Sequence, residues 1–173
     1  VACSVYMAYA KADKLEHVIQ KATELGAYEI AAFPSSRCVL KLDAASAEKK
    51  RERWQKIARS AAMQCARAYV PEIGEPLAFR EMTEELKDAD CGFLCYEAEP
   101  HIPMKTLFAA KSACKKAVDY RFFIGPEGGF EEQEVADAME AGAKPITLGH
   151  RILRTETAGL AVLSVLMFQL EDE

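Results

Sequence analysis

Three glycines, Gly125, Gly128 and Gly129, follow the apolar run Tyr120 to Ile124 and precede Glu131, Glu132 and Glu134. Glycines between a strand and a helix either make a tight turn or let backbone close on a ligand. The segment lacks the Lys and Ser/Thr of a P-loop and the spacing of a dinucleotide fingerprint. Carboxylates in a first helical turn suit the helix dipole but repel a polyphosphate. A ligand held here therefore has to be neutral or cationic. A second glycine turn, Leu148 and Gly149, closes another short apolar run and leads through Arg151, Ile152 and Leu153 to Arg154 and Glu156. Arg151 and Arg154 lie at or just before the start of the last helix, where positive charge opposes the dipole. They serve either an anionic substrate or a salt bridge to Glu127 or Glu156.

The elements that must position these turns alternate along the chain. "CSVYMAYA" reads as a strand, and "KADKLEHVIQKATELGA" as a helix with Leu15, Val18, Ile19, Ala22 and Leu25 on one face and Gly26 as its stop. "YEIAAFP" is the next strand, and "SSRCVLKL" is expected to extend the sheet edge. A long helix follows, with Trp54, Ile57, Ala61 and Cys65 inward, closed by Pro71. Its outer face starts strongly basic, with Lys49, Lys50, Arg51, Arg53, Lys56 and Arg59, and reads either as a solvated face or as an RNA-facing surface. "PEIGEPLAF" reads as a loop and short strand, "EELKDA" as a short helix, "CGFLCYE" and "VDYRFFIG" as buried strands, and "PMKTLFAAKSACK" as a helix between them. The helix "EEQEVADAMEAGA", the strand "PITLG", the turn "HRILR" and a final helix complete the order. Such alternation predicts an α/β fold with a mostly parallel sheet. Loops beyond the carboxyl ends of neighbouring strands in such a sheet share one crevice, so the two glycine turns are expected to meet. The final helix is apolar almost all round, from Leu160 to Phe168, which predicts burial on every side or a dimer interface.

The chain has 173 residues, enough for one domain, and a formal charge of -5. That balance disfavours a protein holding nucleic acid mainly by electrostatics, so an RNA role needs local basic patches or a further domain. The six cysteines, Cys3, Cys38, Cys65, Cys91, Cys95 and Cys114, contain no C-x-x-C pair and read as reduced core residues of a cytoplasmic protein. His17, His101 and His150 are too scattered for a metal cluster. The longest apolar stretch, "GLAVLSVLMFQL", is shorter than the roughly 18 residues of a membrane span, and no signal peptide is evident.

"FFIGPEGGFEEQEV" and "TLGHRILRTETAGLAVL" resemble the signature of the ribosomal RNA small subunit methyltransferase E family. "KADKLEHVIQKATELGA", "SSRCVL", "RWQKIARSAAMQCAR" and "VPEI" are similar to family segments in the same order, so the resemblance covers nearly the whole chain. It implies a SPOUT-type α/β fold with a C-terminal deep trefoil knot, S-adenosylmethionine as cofactor, a homodimer, and methylation of uridine N3 in 16S rRNA of the small ribosomal subunit. It assigns the cofactor to Leu94, Tyr96 and Glu97, to Gly125, Pro126, Glu127 and Gly128, and to Leu148, Gly149, Ile152 and Leu153. It assigns catalysis to Arg154 and Glu156, and RNA contact to Arg37, Gln64, Arg67 and Arg151. Family members usually begin with a small PUA-like barrel, which this chain lacks, so residues 1–173 are expected to be the catalytic domain. The alternatives are a non-catalytic dimeric RNA-binding or assembly protein on the same scaffold, or a related SPOUT enzyme acting on tRNA or on a ribose 2′-hydroxyl.

Overall fold

The apolar runs form one sheet. In the computed structural model, which describes residues 1–11, 13–98, 102–109 and 119–170, the strands are β1 (Ala2–Ala8), β2 (Glu29–Phe33), β3 (Glu72–Ile73), β4 (Cys91–Cys95), β5 (Ile102–Pro103), β6 (Asp119–Ile124) and β7 (Lys144–Thr147). Their order is β3-β2-β1-β6-β4-β7-β5, and every pairing is parallel. Strands buried on both faces read as continuous apolar runs, and β1 and β6 are buried along nearly their whole length.

The helices are α1 (Lys14–Glu24), α2 (Ala44–Gln64), α3 (Phe79–Glu84), α4 (Met104–Ala109), α5 (Glu132–Glu140) and α6 (Thr155–Leu170). Helix α1 packs on α2 and α6, and α6 lies on β1 and β6. Helices α3 and α5 pack together on the other face. Helix α6 crosses the sheet at Gly159, where a β-carbon would make ordinary contact with Val5 and Ile124 at 3.7 Å. On the opposite face Tyr6 stacks on Phe123 at 4.9 Å, and Phe33 bridges Phe123 to Phe79 and Phe130. The Tyr6 hydroxyl lies within hydrogen-bond distance of the Glu29 and Glu85 carboxylates, at 3.0 and 3.1 Å, and Arg121 lies 3.6 Å from Glu85.

Two expectations are corrected, and of the two alternatives for the final helix one is excluded. "SSRCVLKL" is a loop: the Cys38 amide turns back to the Ser35 carbonyl, and Ser35 and Ser36 are spent on a carboxylate of α5 instead of a neighbouring strand. On α2 the buried face is Trp54 with Ala47, Ala58, Ala61 and Ala62, four small residues that let the helix approach closely around one large anchor, while Ile57 and Cys65 are only half-buried. The final helix is not buried all round, because Val165 and Phe168 are exposed. Cys114, His101 and the second half of the helix expected around "SACK" lie outside the described residues.

Helices α1, α2 and α5 end in the same Schellman motif, with paired backbone bonds back to the last turn. Its left-handed residue is Gly26 after α1 and Gly142 after α5, but Ala66, at φ 58°, after α2. A β-carbon in that conformation costs about 1 kcal/mol. Ala66→Gly is expected to stabilise the fold by roughly 0.5–1 kcal/mol, read as a rise in the urea midpoint at unchanged slope; an unchanged or lower midpoint contradicts it.

Candidate functional site

Strands β6, β4 and β7 are neighbours, and the chain leaves them at Gly125, Tyr96 and Leu148. Between these exits lies a cavity of about 540 Å³. Cys95, Tyr96 and Glu97 line it after β4, and Gly125, Pro126, Gly129 and Phe130 after β6. The segment from Thr147 to Leu153, with Thr155 and Ala158 of α6, completes the wall. The two glycine turns therefore meet, as their places after neighbouring strands require.

Each glycine of the first turn has a local cause. Phe130 is buried against Phe33 and Phe79, and its ring lies 3.0 Å from where a β-carbon on Gly125 would stand. A β-carbon on Gly128 would come within 3.3 Å of Arg37, whose guanidinium donates to the Gly128 carbonyl at 3.0 Å. Gly129 has φ 71°, a conformation other residues rarely adopt.

The turn is tied down by Glu134, a buried carboxylate in the first turn of α5. It accepts from the Ser35 hydroxyl at 3.1 Å, the Ser36 amide at 2.9 Å and the Glu131 amide at 2.9 Å. The loop after β2 and the loop after β6 are thus held by one side chain. On the other side of the turn, the Thr155 hydroxyl donates to the Gly125 carbonyl at 3.0 Å and joins the start of α6 to the glycines.

Lys14, at the start of α1, reaches Glu127 at 3.1 Å and Glu156 at 3.4 Å. Glu156 Oε2 is buried, accepts no hydrogen bond and has this ion pair as its compensation. Partial burial alone would raise the Glu127 carboxyl, but hydrogen bonds from its own backbone N–H and from Lys14, with the ammonium charge, outweigh that and hold it below its ordinary 4.5. The Glu127 hydrogen bond in turn raises Lys14. Because Lys14 takes both acids, the salt bridge considered for Arg151 and Arg154 does not form: both side chains are exposed and, among the described residues, ion-pair with nothing. Burial pushes the Cys95 thiol up to about 12, so this wall residue stays protonated at neutral pH.

Several expected residues sit elsewhere. Leu94 is fully buried in the core, and its neighbour Cys95 takes the place on the wall. Glu127 and Gly128 face away from the cavity and hold the turn from outside. Arg154 and Glu156 flank Thr155 without lining the cavity, whereas Arg151, Ile152, Leu153, Leu148, Gly149, Pro126, Gly125, Tyr96 and Glu97 do line it. Arg37 is drawn to the glycine turn. Arg67 is not: it donates to the Thr23 and Ala27 carbonyls at the end of α1, at 2.7 and 3.0 Å. Gln64 is exposed at the end of α2, and both therefore lie by the edge where strands begin, opposite the cavity. Lys14, Ser35, Phe130 and Thr155 were not anticipated, and Glu134 was read only as a charge in the first helical turn, not as the anchor of two loops. Only Thr155, a hydroxyl residue opening an apolar helix, carried a usable signal.

The family of RNA methyltransferase domains matches residues 1–167. The ribosomal RNA small subunit methyltransferase E of Bacillus subtilis is 42% identical over 162 residues, which are 93% of this chain and 63% of that protein. The protein of the same name from Mesomycoplasma hyopneumoniae is 34% identical over 91% of this chain and 66% of its own length. The chain thus spans less than two thirds of these relatives. A crystal structure of the Neisseria gonorrhoeae ribosomal RNA small subunit methyltransferase E, bound to S-adenosyl methionine, superposes with a TM-score of 0.87 at 31% identity, covering 98% of this chain and 67% of that one.

Two outcomes follow from the ties around the turn. Glu134→Ala leaves three donors without their acceptor and is expected to cost about 3 kcal/mol, measured by urea unfolding; a loss within error of zero would mean that water replaces the carboxylate. Because Glu127 is held below its ordinary value, its contribution to stability is present above about 4.5 and is lost as pH falls through the lower folded value. In Lys14→Met the Glu127 carboxyl titration, followed by carbon NMR, is expected to move upward; an unmoved titration contradicts the Lys14 tie.

Proposed function

The chain belongs to the family of RNA methyltransferase domains, and from that premise we propose that it transfers a methyl group from S-adenosylmethionine to N3 of a uridine in the 16S RNA of the small ribosomal subunit. The observation that carries this reading is the cavity at the ends of β4, β6 and β7. Its volume falls in the range of small-molecule sites, and it combines apolar side chains with backbone at two glycine turns. Among the described residues its lining has no lysine; Glu97 stands at the β4 exit and His150 and Arg151 beyond β7. A carboxylate beside apolar walls and glycine backbone suits a nucleoside bearing a sulfonium, and Arg151 is left for the anionic substrate.

Pro126, Ile146, Leu148 and Leu153 are placed to cover a flat ring, with the backbone of the two turns reading its edges. The Tyr96 amide is already given to the Ile146 carbonyl, so at that exit the ligand is read by the Glu97 side chain. When bound, the cofactor supplies a methyl group on positively charged sulfur. The N3 proton passes to solvent and leaves negative charge on the uridine carbonyl oxygens, and the guanidinium of Arg154, without an ion-pair partner among the described residues, stabilises it there or holds the nucleotide's phosphate. Glu156, held by Lys14, orients the start of α6 beside Arg154. Arg151, on the cavity wall, and Arg37, on the glycine turn, complete the substrate side.

The reading includes a homodimer. Ala161, Val165 and Phe168 form an outward apolar stripe on α6, and Phe168 is 85% exposed, a surface that a second copy covers at low cost. It also includes the knotted arrangement of the carboxyl-terminal chain, residues 1–173 as the catalytic domain, and work in the cytoplasm, where ribosomal RNA resides.

Calorimetry with S-adenosylmethionine is expected to give one site per subunit, abolished in Gly149→Val. Gly149 has φ 119° with open space around its α-carbon, so the mutation acts by straining the turn. Arg154→Ala is expected to keep cofactor affinity and to lower methylation about 10²-fold or more, with the modified base located by mass spectrometry of ribosomal RNA. A folded chain that binds no cofactor sinks the cofactor assignment; a methyl group found on tRNA or on a ribose hydroxyl redirects the substrate.

A further inference from the structure

Each crossover helix starts at the edge where the cavity opens, because it runs back against the strands. The loop from Pro34 to Asp43 and the first half of α2 therefore lie on that edge. Arg37 begins this stretch on the glycine turn itself, 3.0 Å from the Gly128 carbonyl. Lys41 follows, exposed. Asp43 then caps α2 by accepting from the Ser46 amide at 2.7 Å, which fixes where the helix starts. From there Lys49, Arg53 and Lys56 fall on the solvent face, within roughly 60° of one another, and Lys49 to Lys56 spans about 10 Å.

Arg53 is spent on Glu16 of α1 at 2.9 Å. Arg51, on the other side of the helix, is spent on Glu48 at 2.7 Å. Lys41, Lys49 and Lys56 have no carboxylate within ion-pair distance among the described residues, although Glu52 is exposed nearby on the same helix. In a chain of net charge -5, a row of unneutralised ammonium groups leading away from the cavity is a local departure from the overall balance. Lysine suits this task, because it is a compact, mobile charge that follows a phosphate backbone without reading bases.

We propose that Lys41, Lys49 and Lys56 form a track for the phosphate backbone of single-stranded RNA leading to the nucleotide at the cavity. The inference rests on the methyltransferase reading and deepens it. The track holds substrate by charge and leaves the choice of base to the cavity.

The test is fluorescence anisotropy of a labelled single-stranded RNA carrying a small-subunit ribosomal sequence, titrated with this chain from 50 to 200 mM salt. The comparison is the triple variant Lys41→Gln, Lys49→Gln, Lys56→Gln. Each backbone contact contributes about 0.7 to the salt slope on a single strand. The variant is expected to lose about 2 from that slope and to bind about tenfold more weakly at 50 mM salt. Its S-adenosylmethionine affinity is expected to be unchanged, which also reports that it folds. Wild-type slope and affinity in the triple variant, with weaker binding in Arg151→Gln, overturn the track and leave the methyltransferase reading standing. No RNA binding by the wild type while it binds the cofactor overturns the track and the RNA substrate together. A sedimentation coefficient changed by the triple substitution, with RNA affinity unmoved, assigns the face to a second copy and also overturns the track.

Discussion

The buried carboxylate of Glu134 is the constraint on which the cavity edge depends. A glycine-rich turn has little intrinsic shape, because its residues give up more backbone freedom on folding than any others. Glu134 supplies the missing order from the first turn of α5, where the helix dipole favours its charge. Its three hydrogen bonds reach two loops that leave different strands. Phe130 anchors the same turn from below through the aromatic layer of Phe33 and Phe79. Thr155 then hangs the start of α6 on the turn through the Gly125 carbonyl. One polar anchor, one apolar anchor and one hydroxyl thus hold the wall in place.

Charge around this frame is divided by origin. Glu127 of the turn and Glu156 of α6 share the single ammonium of Lys14, whose position in the chain is remote from both. Arg151, on the cavity wall, and Arg154, just before α6, are left exposed and without an ion-pair partner among the described residues. A cation at a helix start is unfavourable for the helix, so Arg154, next to the first residue of α6, is a local cost that no carboxylate among the described residues offsets.

The strands and helices were legible because their patterns are local. The apolar face of α1 was read from its spacing, and Leu15, Val18, Ile19 and Ala22 are buried as expected. The parallel sheet followed from alternation, and the meeting of the glycine turns from sheet geometry. "SSRCVLKL" misled because a β-branched and apolar run resembles a strand until its serines are claimed by a distant carboxylate. Leu94 misled because a strand's last residues alternate between core and cavity, and the sequence does not say which residue faces which. Arg67 was assigned to RNA contact, yet its two acceptors are carbonyls left open at the end of another helix. Lys14 stayed hidden because a lysine near a helix start carries no mark of partners on a loop and a helix that come more than a hundred residues later.

The sheet order has a consequence for the order of synthesis. Strand β6 lies between β1 and β4, both of which precede it in the chain. The first five strands to be made cannot close into one sheet, since β1 and β4 have no bond to each other until Asp119–Ile124 is inserted between them. A growing chain that stops short of Ile124 therefore exposes two apolar strand edges and has no route to the finished core. The middle of the sheet therefore waits for the segment that carries the first glycine turn, and the wall of the cavity waits further, for Lys144–Thr147 and the chain that follows it.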